Sequence, residues 1–281
     1  MMPPLGPPVA LSTASVYPEP TSAAFELAAE LGYDGVELMV WCDPVSQDEA
    51  AVSGLVDRFG MPVLAVHAPC LAVTQRVWDS DPVGRIRRSV SAAAEWGAGT
   101  VVVHPPFRWQ RRYAGRFADE VARAGEAAGV ALAVENMFPV MRAGVRRVPY
   151  SPGWDPTEVG HAHYTLDLSH TAVAGCDALE MLDRMGSRLR HLHLADGTGA
   201  ARDEHLAPGR GNQPCAQVCE RIADGDFDGV VVVEVSTRRC RTRYDRAAVL
   251  AESLLFAQLH LQPPRSARFP VPREPATPAA R

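Results

Sequence analysis

The amino-acid sequence predicts a single (β/α)8 barrel, and three observations lead to this fold class. Short apolar stretches alternate with longer stretches of helical periodicity along most of the chain. The apolar stretches are almost continuously hydrophobic, which is typical of a parallel sheet covered by helices on its outer side. Seven of these stretches end, at or just after the last apolar residue, in a side chain able to bind a divalent metal: Glu37, His67, His104, Glu135, Asp167, His193 and Glu234. A parallel barrel brings all strand C-termini to one rim, so the sequence predicts a metal site there.

The first five strands are predicted from short runs rich in Val, Ala and Leu, at residues 9–13, 35–40, 62–67, 100–104 and 130–135. The helices between them have an apolar face and are predicted at residues 21–31, 46–59, 85–96 and 113–128. Gly32 and Gly60 follow two of these helices directly, as is common at helix C-termini. Ser46 is a favourable residue for the start of the second helix.

The last three strands are predicted at residues 164–168, 189–194 and 230–235, with helices at residues 177–185, 215–223 and 244–261. An open, doubly wound sheet is the competing fold. Such a sheet normally carries a glycine-rich phosphate loop after its first strand, and residues 15–21 contain no glycine. The sequence therefore favours closure into a barrel.

The predicted domain organisation is one barrel domain at residues 9–261. Residues 1–8 and 262–281 are rich in proline and poor in large apolar residues, so both are expected to be disordered tails. Two connections exceed the usual length, at residues 136–158 and 195–214. Both follow strands, so they are expected to form substrate walls or lids at the rim.

Composition and charge limit the cellular locations and the binding partners expected for the chain. The N-terminus lacks the basic segment and apolar run of a signal peptide, and no apolar stretch is long enough to span a bilayer. The six cysteines form no CxxC pair, so we expect reduced thiols and a cytoplasmic location. The net charge of -5 supplies no global attraction for nucleic acid, without excluding it. The sequence leaves open whether the chain forms a homo-oligomer.

Four candidate ligands are expected to form a compact inner group, because their strands are the fifth to the eighth and neighbour each other around a barrel. They are Glu135, Asp167, His193 and Glu234. Three carboxylates and one imidazole make a hard, anionic cage that suits Mn²⁺, Mg²⁺ or Co²⁺ as well as Zn²⁺. For any one carboxylate a salt bridge with arginine is the simpler interpretation, but the four together favour a metal, since without one they would repel each other.

A second group of candidate ligands lies further out, and its members are His67, His104, His170, Asp203 and His205. His161, His191 and His260 are interpreted as helix caps or satisfied polar residues, which is the commoner role of a lone histidine. His191 is expected to alternate with His193 and to face away from the barrel centre.

The order of these motifs resembles that of the xylose isomerase-like barrels, which include sugar isomerases, sugar epimerases and apurinic/apyrimidinic endonucleases of the endonuclease IV type. The resemblance runs from residue 9 to residue 261. It rests on GVEL at Glu37, VHAP at His67, VVHPP at His104, AVEN at Glu135, LDLSH at Asp167 and His170, HLHLAD at His193, DEHLAPGRG from Asp203 and VVVEVS at Glu234.

The resemblance implies two different sites. In epimerase-like members, the residues that match the inner group bind a single metal. The two glutamates that match Glu135 and Glu234 also transfer protons. In endonuclease IV members, the matches extend to the outer group and make a trinuclear zinc site. This chain contains all nine residues. Cys70 stands where the endonucleases would have a tyrosine, and PGRGNQP is close to a PGxG loop of the epimerase-like members.

The favoured function is a divalent-metal-dependent isomerase or epimerase of a sugar or sugar phosphate, acting by enediolate proton transfer with Glu135 and Glu234 as catalytic residues. Predicted substrate-binding residues are His67, His104, His170, Glu37, Trp41 and Arg210, and Phe107, Trp109 and Phe138 are candidates for stacking on a sugar. The alternative is hydrolysis of abasic DNA with three zinc ions. In that alternative, six arginines would bind the DNA phosphates, and without it they would form a solvated basic surface. They are Arg108, Arg111, Arg112, Arg142, Arg146 and Arg147. A barrel that keeps its ligands without catalysis is the third hypothesis.

Overall fold

The computed structural model describes residues 6–142 and 144–262. The predicted N-terminal tail therefore lies outside the described residues up to residue 5, and the predicted C-terminal tail lies outside them from residue 263. Within the described ranges, no helix combines the length and the apolar character needed to cross a bilayer.

Eight parallel strands close into a barrel, which confirms the predicted fold class. The strands are β1 (Val9–Ser12), β2 (Gly35–Met39), β3 (Val63–His67), β4 (Thr100–Val103), β5 (Ala131–Glu135), β6 (His163–Asp167), β7 (Leu189–Leu194) and β8 (Val230–Val233). Each strand pairs with its neighbours in sequence, and β1 pairs with β8 to complete the ring. Consequently the C-terminal end of every strand lies at one rim of the barrel.

The helices cover the outside of this barrel. They are α1 (Thr21–Leu31), α2 (Glu49–Phe59), α3 (Pro82–Trp96), α4 (Arg111–Ala114), α5 (Phe117–Ala128), α6 (Leu168–Ala174), α7 (Ala178–Met185), α8 (Cys215–Asp224) and α9 (Arg243–His260). The predicted helix at residues 46–59 is divided into a 3₁₀ turn and α2, because the Asp48 side chain accepts the Ala51 N–H and caps α2 at that point. The predicted helix at residues 113–128 is likewise divided into α4 and α5.

The long connection after β5 contains elements that the sequence pattern did not indicate. Val140–Arg142 and Val145–Arg147 form a short antiparallel hairpin, and Pro156–Glu158 forms a 3₁₀ turn. In the described part of this connection these elements take the place of a helix. An isolated bridge between Phe107 and Tyr150 holds the connection against the loop that follows β4.

The long connection after β7 is organised by one buried carboxylate, that of Asp196. This carboxylate accepts hydrogen bonds from the backbone N–H groups of Gly209 at 3.0 Å, Gly211 at 2.8 Å and Gln213 at 3.0 Å. A Cβ atom at Gly211 would lie 2.3 Å from an Asp196 oxygen. The glycine-rich sequence is therefore required for the loop to wrap around Asp196.

The interior of the barrel changes character along its axis. Leu11 and Val231 point outward and pack with the helices in the main core. Because side chains alternate along a strand, the residues beside them point inward, and a small apolar cluster fills this part of the interior: Ala10, Ala65, Val230 and Val232. Towards the C-terminal rim, buried acidic and histidine side chains replace these apolar residues.

We expect close backbone approach at Gly229, directly before β8, to be a determinant of stability. A Cβ atom at this position would lie 2.2 Å from the carbonyl oxygen of Arg190 on β7, so Gly229→Ala should force the backbone apart. The free energy of unfolding in urea should fall by about 1–3 kcal/mol, as for other overpacked sites. Gly54→Ala on the exposed face of α2 meets no atom within 4 Å and should instead stabilise the chain by about 0.5–1 kcal/mol. Equal effects of the two substitutions would contradict this interpretation.

Candidate metal centre

The inner group of predicted ligands meets at the C-terminal rim of the barrel. Glu135 and Asp167 are the last residues of β5 and β6, His193 lies near the end of β7, and Glu234 follows β8 directly. One ligand atom from each residue lies within 4.8 Å of the others. All four residues are buried, none more than 8% exposed, so water does not screen their charges effectively.

The Nδ1 atom of His193 is the point on which the three carboxylates converge. It lies 3.0 Å from Oε1 of Glu135, 3.2 Å from Oε2 of Glu234 and 3.5 Å from Oδ2 of Asp167. Three acidic oxygens and one imidazole nitrogen thus surround a common volume. This donor set is the one expected for a hard or borderline divalent cation.

A second cluster shares Glu135 with the first. Nε2 of His104 lies 2.8 Å from Oε2 of Glu135, and Nε2 of His67 lies 3.5 Å from the same oxygen. The two histidine Nε2 atoms are 3.1 Å apart. Glu135 therefore faces both this histidine pair and the inner group.

A third cluster shares Asp167 with the first and contains His170, His205 and Asp203. Oδ2 of Asp203 lies 2.7 Å from Nε2 of His205 and 3.3 Å from Nε2 of His170. His205 has a φ angle of +43°, a left-handed conformation that non-glycine residues rarely adopt. Backbone strain of this kind is typical of functional sites. All nine predicted ligands lie in these three connected clusters.

Three of the histidines have one ring nitrogen held by a backbone carbonyl. The Nδ1–H of His67 donates to the carbonyl of Ala68 at 3.0 Å. The Nδ1–H of His170 donates to the carbonyl of Asn136 at 2.8 Å, and that of His205 donates to the carbonyl of Glu234 at 2.8 Å. In the neutral form of each ring this places the lone pair on Nε2, which is directed towards the cluster. Metal-binding histidines characteristically use the second nitrogen in this way.

Two buried carboxylate oxygens show that the clusters fit a cation. Oε2 of Glu135 and Oδ2 of Asp167 are buried and accept no hydrogen bond of good geometry within the described residues, although Nε2 of His104 lies 2.8 Å from Oε2 of Glu135. An unpaired buried carboxylate oxygen is costly unless a proton or a cation neutralises it. The donor chemistry and the unpartnered oxygens therefore fit a divalent metal ion.

The pKa values in the site reflect this crowding of charge. Burial opposes the charged form of His193, but the carboxylates of Glu234, Glu37 and Glu135 outweigh it and hold the pKa of His193 well above its ordinary value. Burial likewise opposes the charge of Glu135, yet His104 and His193 hold the pKa of Glu135 well below its ordinary value. Burial raises the pKa of Glu234. Protons on the imidazoles thus balance the carboxylates, and cation binding should release them.

Asn136 supports the site although the sequence pattern did not single it out as a site residue. Its Oδ1 accepts the N–H of Asp167 at 2.7 Å, and its Nδ2 donates to the Asp167 carbonyl at 3.0 Å. Asp167 in turn caps α6, because its Oδ1 accepts the N–H of His170 at 2.8 Å. These bonds fix one carboxylate oxygen and leave the other facing the inner group.

A cavity of about 350 Å³ opens directly above the clusters. Its polar floor contains His67, His104, Glu135, His170 and Glu234. Its walls come from the loops at the rim, and the residues that line them are Ala14, Tyr17, Met39, Trp41, Leu71, Met137, Phe138, Tyr150, Asp203, Glu204, His205, Val235, Ser236 and Arg238. Both long connections contribute to this wall.

Aromatic side chains shape the mouth of the cavity. Tyr17 and Trp41 meet edge to face at 5.1 Å, and Phe138 lies 4.8 Å from the ring of His170. The guanidinium of Arg238 lies 4.4 Å above the ring of Tyr17. Trp41 and Phe138 were predicted from the sequence, whereas Tyr17 and Arg238 were not. Both lie in strand-to-helix connections, where no periodicity identifies the inward-facing residue.

Several predicted site residues lie outside the cavity lining. Glu37 is completely buried beneath the inner group. The guanidinium of Arg210 pairs with the carboxylate of Glu252 on α9. Phe107 and Trp109 stack on each other at 4.2 Å without lining the cavity.

The predicted phosphate track does not line the cavity either. Arg108 donates to the carbonyl of Tyr150, and Arg146 donates to the carbonyl of Ala174. Arg111, Arg112 and Arg147 are exposed, and the side chain of Arg142 lies outside the described part of the chain. The arginine that lines the cavity, among the residues described, is Arg238.

The expectation that His191 faces away from the barrel centre is wrong. Residues two apart in a strand point to the same face, so His191 and His193 both point inward. Nε2 of His191 lies 2.8 Å from Oε2 of Glu37, and the rings of the two histidines are 4.6 Å apart. By contrast, His260 pairs with Glu220 at 2.8 Å, and His161 packs against Phe117.

Comparison with known proteins identifies similar sequences. Residues 25–259 match the xylose isomerase-like TIM barrel family. An uncharacterized protein of Mycobacterium leprae is 56% identical over 272 residues, covering 90% of this chain and 97% of that protein. Fructoselysine 3-epimerase of Shigella flexneri is 24% identical over 247 residues, covering 78% of this chain and 86% of that enzyme.

Solved structures share the fold at lower identity. A crystal structure of D-psicose 3-epimerase with D-tagatose, from Clostridium cellulolyticum H10, has a TM-score of 0.63 and 18% identity, covering 91% of this chain and 99% of that chain. The IOLI protein with a bound zinc atom has a TM-score of 0.67 and 14% identity, covering 90% of this chain and 99% of that chain. At these identities the similarity concerns the fold.

We expect metal binding to stabilise the chain through Asp167. Asp167→Asn keeps the cap of α6, because Asn caps helices about as well as Asp, but it removes the negative charge from the inner group. Zn²⁺ or Mn²⁺ at about 100 times its Kd should stabilise the wild-type chain by about 2.7 kcal/mol, seen by scanning calorimetry as a higher Tm. Asp167→Asn should lose most of this increment at the same ion concentration.

The matched control is Asp177→Asn, which changes the same residue type at the N-cap of helix α7, where Asp177 is exposed. This variant should keep the full metal-induced increase in Tm. An equal increase in both variants would show that the ion binds elsewhere.

Proposed function

Because this chain belongs to the xylose isomerase-like TIM barrel family, we propose that it is a divalent-metal-dependent isomerase or epimerase of a sugar or sugar phosphate. One observation carries the proposal: Glu135 and Glu234 both line the cavity and both lie within 3.2 Å of the same His193 nitrogen. Groups that can transfer protons and groups that can hold a cation thus face one small cavity. The names of a relative and a structural neighbour, fructoselysine 3-epimerase and D-psicose 3-epimerase, support a carbohydrate substrate.

The inner group supplies the ligands in this proposal: Glu135, Asp167, His193 and Glu234. An ion held there would supply Lewis acidity to a substrate carbonyl. The zinc in the IOLI protein structure supports a divalent ion, and the donor set is compatible with Zn²⁺, Mn²⁺, Co²⁺ and Mg²⁺.

The two glutamates perform the proton transfers. Glu135 ends β5 and Glu234 follows β8, and the strands that provide Asp167 and His193 lie between them around the barrel. A substrate above the inner group therefore has one glutamate on each flank. One carboxylate removes the proton from the carbon beside the carbonyl, and the other returns a proton to the opposite face, which inverts that carbon.

The remaining floor and wall residues bind the substrate in this proposal. His67, His104 and His170 line the floor of the cavity and can orient hydroxyl groups. Trp41 and Phe138 present aromatic faces or edges in the wall, against which the apolar face of a sugar can pack. A cavity of about 350 Å³ is within the range of small-molecule sites.

The proton-transfer mechanism predicts exchange with solvent. In D₂O, metal-loaded protein should introduce deuterium at the carbon beside the carbonyl of its substrate, detected by NMR on a panel that includes D-psicose, D-tagatose and fructoselysine. Glu135→Gln and Glu234→Gln should each slow this exchange by about 10²–10⁴-fold, the usual contribution of a general acid or base.

Glu252→Gln is the control for this experiment, because Glu252 is an exposed carboxylate that pairs with Arg210 away from the cavity. Its exchange rate should equal that of the wild type. Full exchange activity in Glu135→Gln and Glu234→Gln would rule out the assigned roles. Loss of exchange with metal still bound would also count against a barrel that only binds ligands.

A second candidate function is favoured by the two outer clusters. His67 and His104 gather at one oxygen of Glu135, and His170, His205 and Asp203 gather beside Asp167. This arrangement has ligands for three ions, as expected for an endonuclease IV-type enzyme that hydrolyses abasic DNA. Three divalent ions would leave the site positively charged and suited to a phosphodiester.

Counting ions separates the two functions. We expect about one tightly bound ion per chain by plasma mass spectrometry after dialysis, and no cleavage of a duplex with one abasic site. The physical reason is that one divalent ion leaves the three carboxylates of the inner group slightly anionic, which suits a neutral sugar and not a phosphodiester. About three zinc ions per chain together with cleavage beside the abasic site would establish the nuclease instead. The duplex without the abasic site serves as the control substrate.

A further inference from the structure

Glu37 lies beneath the inner group and has no contact with the cavity. Its side chain is 0% exposed, and it comes from β2, whereas the histidines that it meets lie on β7. Around the sheet, β1 and β8 separate these two strands, so the contact crosses the barrel interior. A completely buried carboxylate needs partners for both oxygens, and here two imidazoles surround it.

The distances define a buried triad of Glu37, His191 and His193. Nε2 of His193 lies 3.1 Å and 3.2 Å from the two oxygens of Glu37. Nε2 of His191 lies 2.8 Å from Oε2 of Glu37. On the opposite side of the same imidazole, Nδ1 of His193 faces the inner group. His193 is therefore the connection between the triad and the inner group.

We propose that Glu37, supported by His191, is a positioning residue that makes Nδ1 of His193 a metal ligand. This inference rests on the proposed metal-dependent function. Glu37 acts only through His193, because neither Glu37 nor His191 lines the cavity.

The position of the single N–H proton of His193 explains this role. A carboxylate accepts hydrogen bonds, so Glu37 stabilises the form of His193 with its proton on Nε2. Neutral imidazole has a single N–H, so Nδ1 then carries a lone pair. A metal ligand must have that lone pair. Without Glu37, the carboxylates of Glu135 and Glu234 at 3.0 Å and 3.2 Å would favour a proton on Nδ1 instead.

His191 restrains Glu37 from the side. Its ring stands at 89° to the ring of His193, with 4.6 Å between the centroids, and it is 0% exposed. The contact between its Nε2 and Oε2 of Glu37, at 2.8 Å, limits the positions that this carboxylate can take.

Glu37→Gln is the direct test, because glutamine keeps the size of the side chain but offers an amide that can donate as well as accept. We expect the variant to bind Zn²⁺ about 10–100-fold more weakly than the wild type in competition with a chromophoric chelator, the usual cost of losing such an outer partner. The visible absorption spectrum of the Co²⁺-loaded variant should change, because His193 is coordinated differently. The Tm of the metal-free protein should fall, because the substitution removes the buried partner of His193, so affinity and spectrum are measured at a temperature at which the variant is folded.

Glu220→Gln is the matched control. Glu220 also accepts from a histidine, at 2.8 Å from His260 Nδ1, but on the exposed surface away from the site. Its Zn²⁺ affinity and Co²⁺ spectrum should equal those of the wild type. If Glu37→Gln fails to fold, His191→Leu replaces it in the same assay, with an expected loss of Zn²⁺ affinity of about tenfold.

The outcomes separate this inference from the proposed function. Unchanged Zn²⁺ affinity and an unchanged Co²⁺ spectrum in the folded variant would overturn the positioning role, and a lower metal-free Tm with unchanged affinity would assign Glu37 a structural role only. A wild-type chain that binds Zn²⁺ but exchanges no sugar proton would overturn the proposed function alone. A wild-type chain that takes up no ion would overturn both.

Discussion

Three buried carboxylates that share one imidazole nitrogen are the constraint on which the rest of the structure depends. Oxygens of Glu135, Asp167 and Glu234 lie within 3.5 Å of Nδ1 of His193. Acidic groups this close repel each other strongly inside a protein, so the fold must provide a balancing positive charge. Protonated imidazoles can provide it, and a divalent ion provides two charges at a single point. Binding of an ion and stability of the fold are therefore coupled.

The barrel tolerates this concentration of charge because the charged groups are separated from the apolar part of the interior. Small and β-branched side chains fill the barrel at the level of Ala10 and Val232, while the charged groups lie towards the C-terminal rim. Backbone groups then complete the support of the site. The carbonyls of Ala68 and Asn136 orient two histidines, and the start of α6 holds one oxygen of Asp167. Main-chain atoms thus supply part of the outer support, and the side chains of Asn136 and Glu37 supply another part.

Sharing of carboxylates connects the three clusters into one site. Glu135 faces both the inner group and the pair of His67 and His104, and Asp167 faces both the inner group and His170. An ion in one cluster would therefore change the charge that the next cluster experiences. The same residues are compatible with isomerisation around one ion and with hydrolysis around three. The walls, built from loop residues such as Tyr17 and Arg238, define the space left for a substrate.

The sequence by itself determined the closed parallel barrel and the rim position of the candidate ligands, because strand ends such as Glu135 and Asp167 are identified by local periodicity. It also identified most helices, with errors at caps such as Asp48, where a side-chain hydrogen bond sets the boundary. Only the tertiary structure decided the roles of Glu37 and His191, since their contact joins strands β2 and β7 across the barrel. Which loop side chains line the cavity was likewise evident only in the tertiary structure. Connections lack the hydrophobic periodicity that shows, in helices and strands, which side chains point inward.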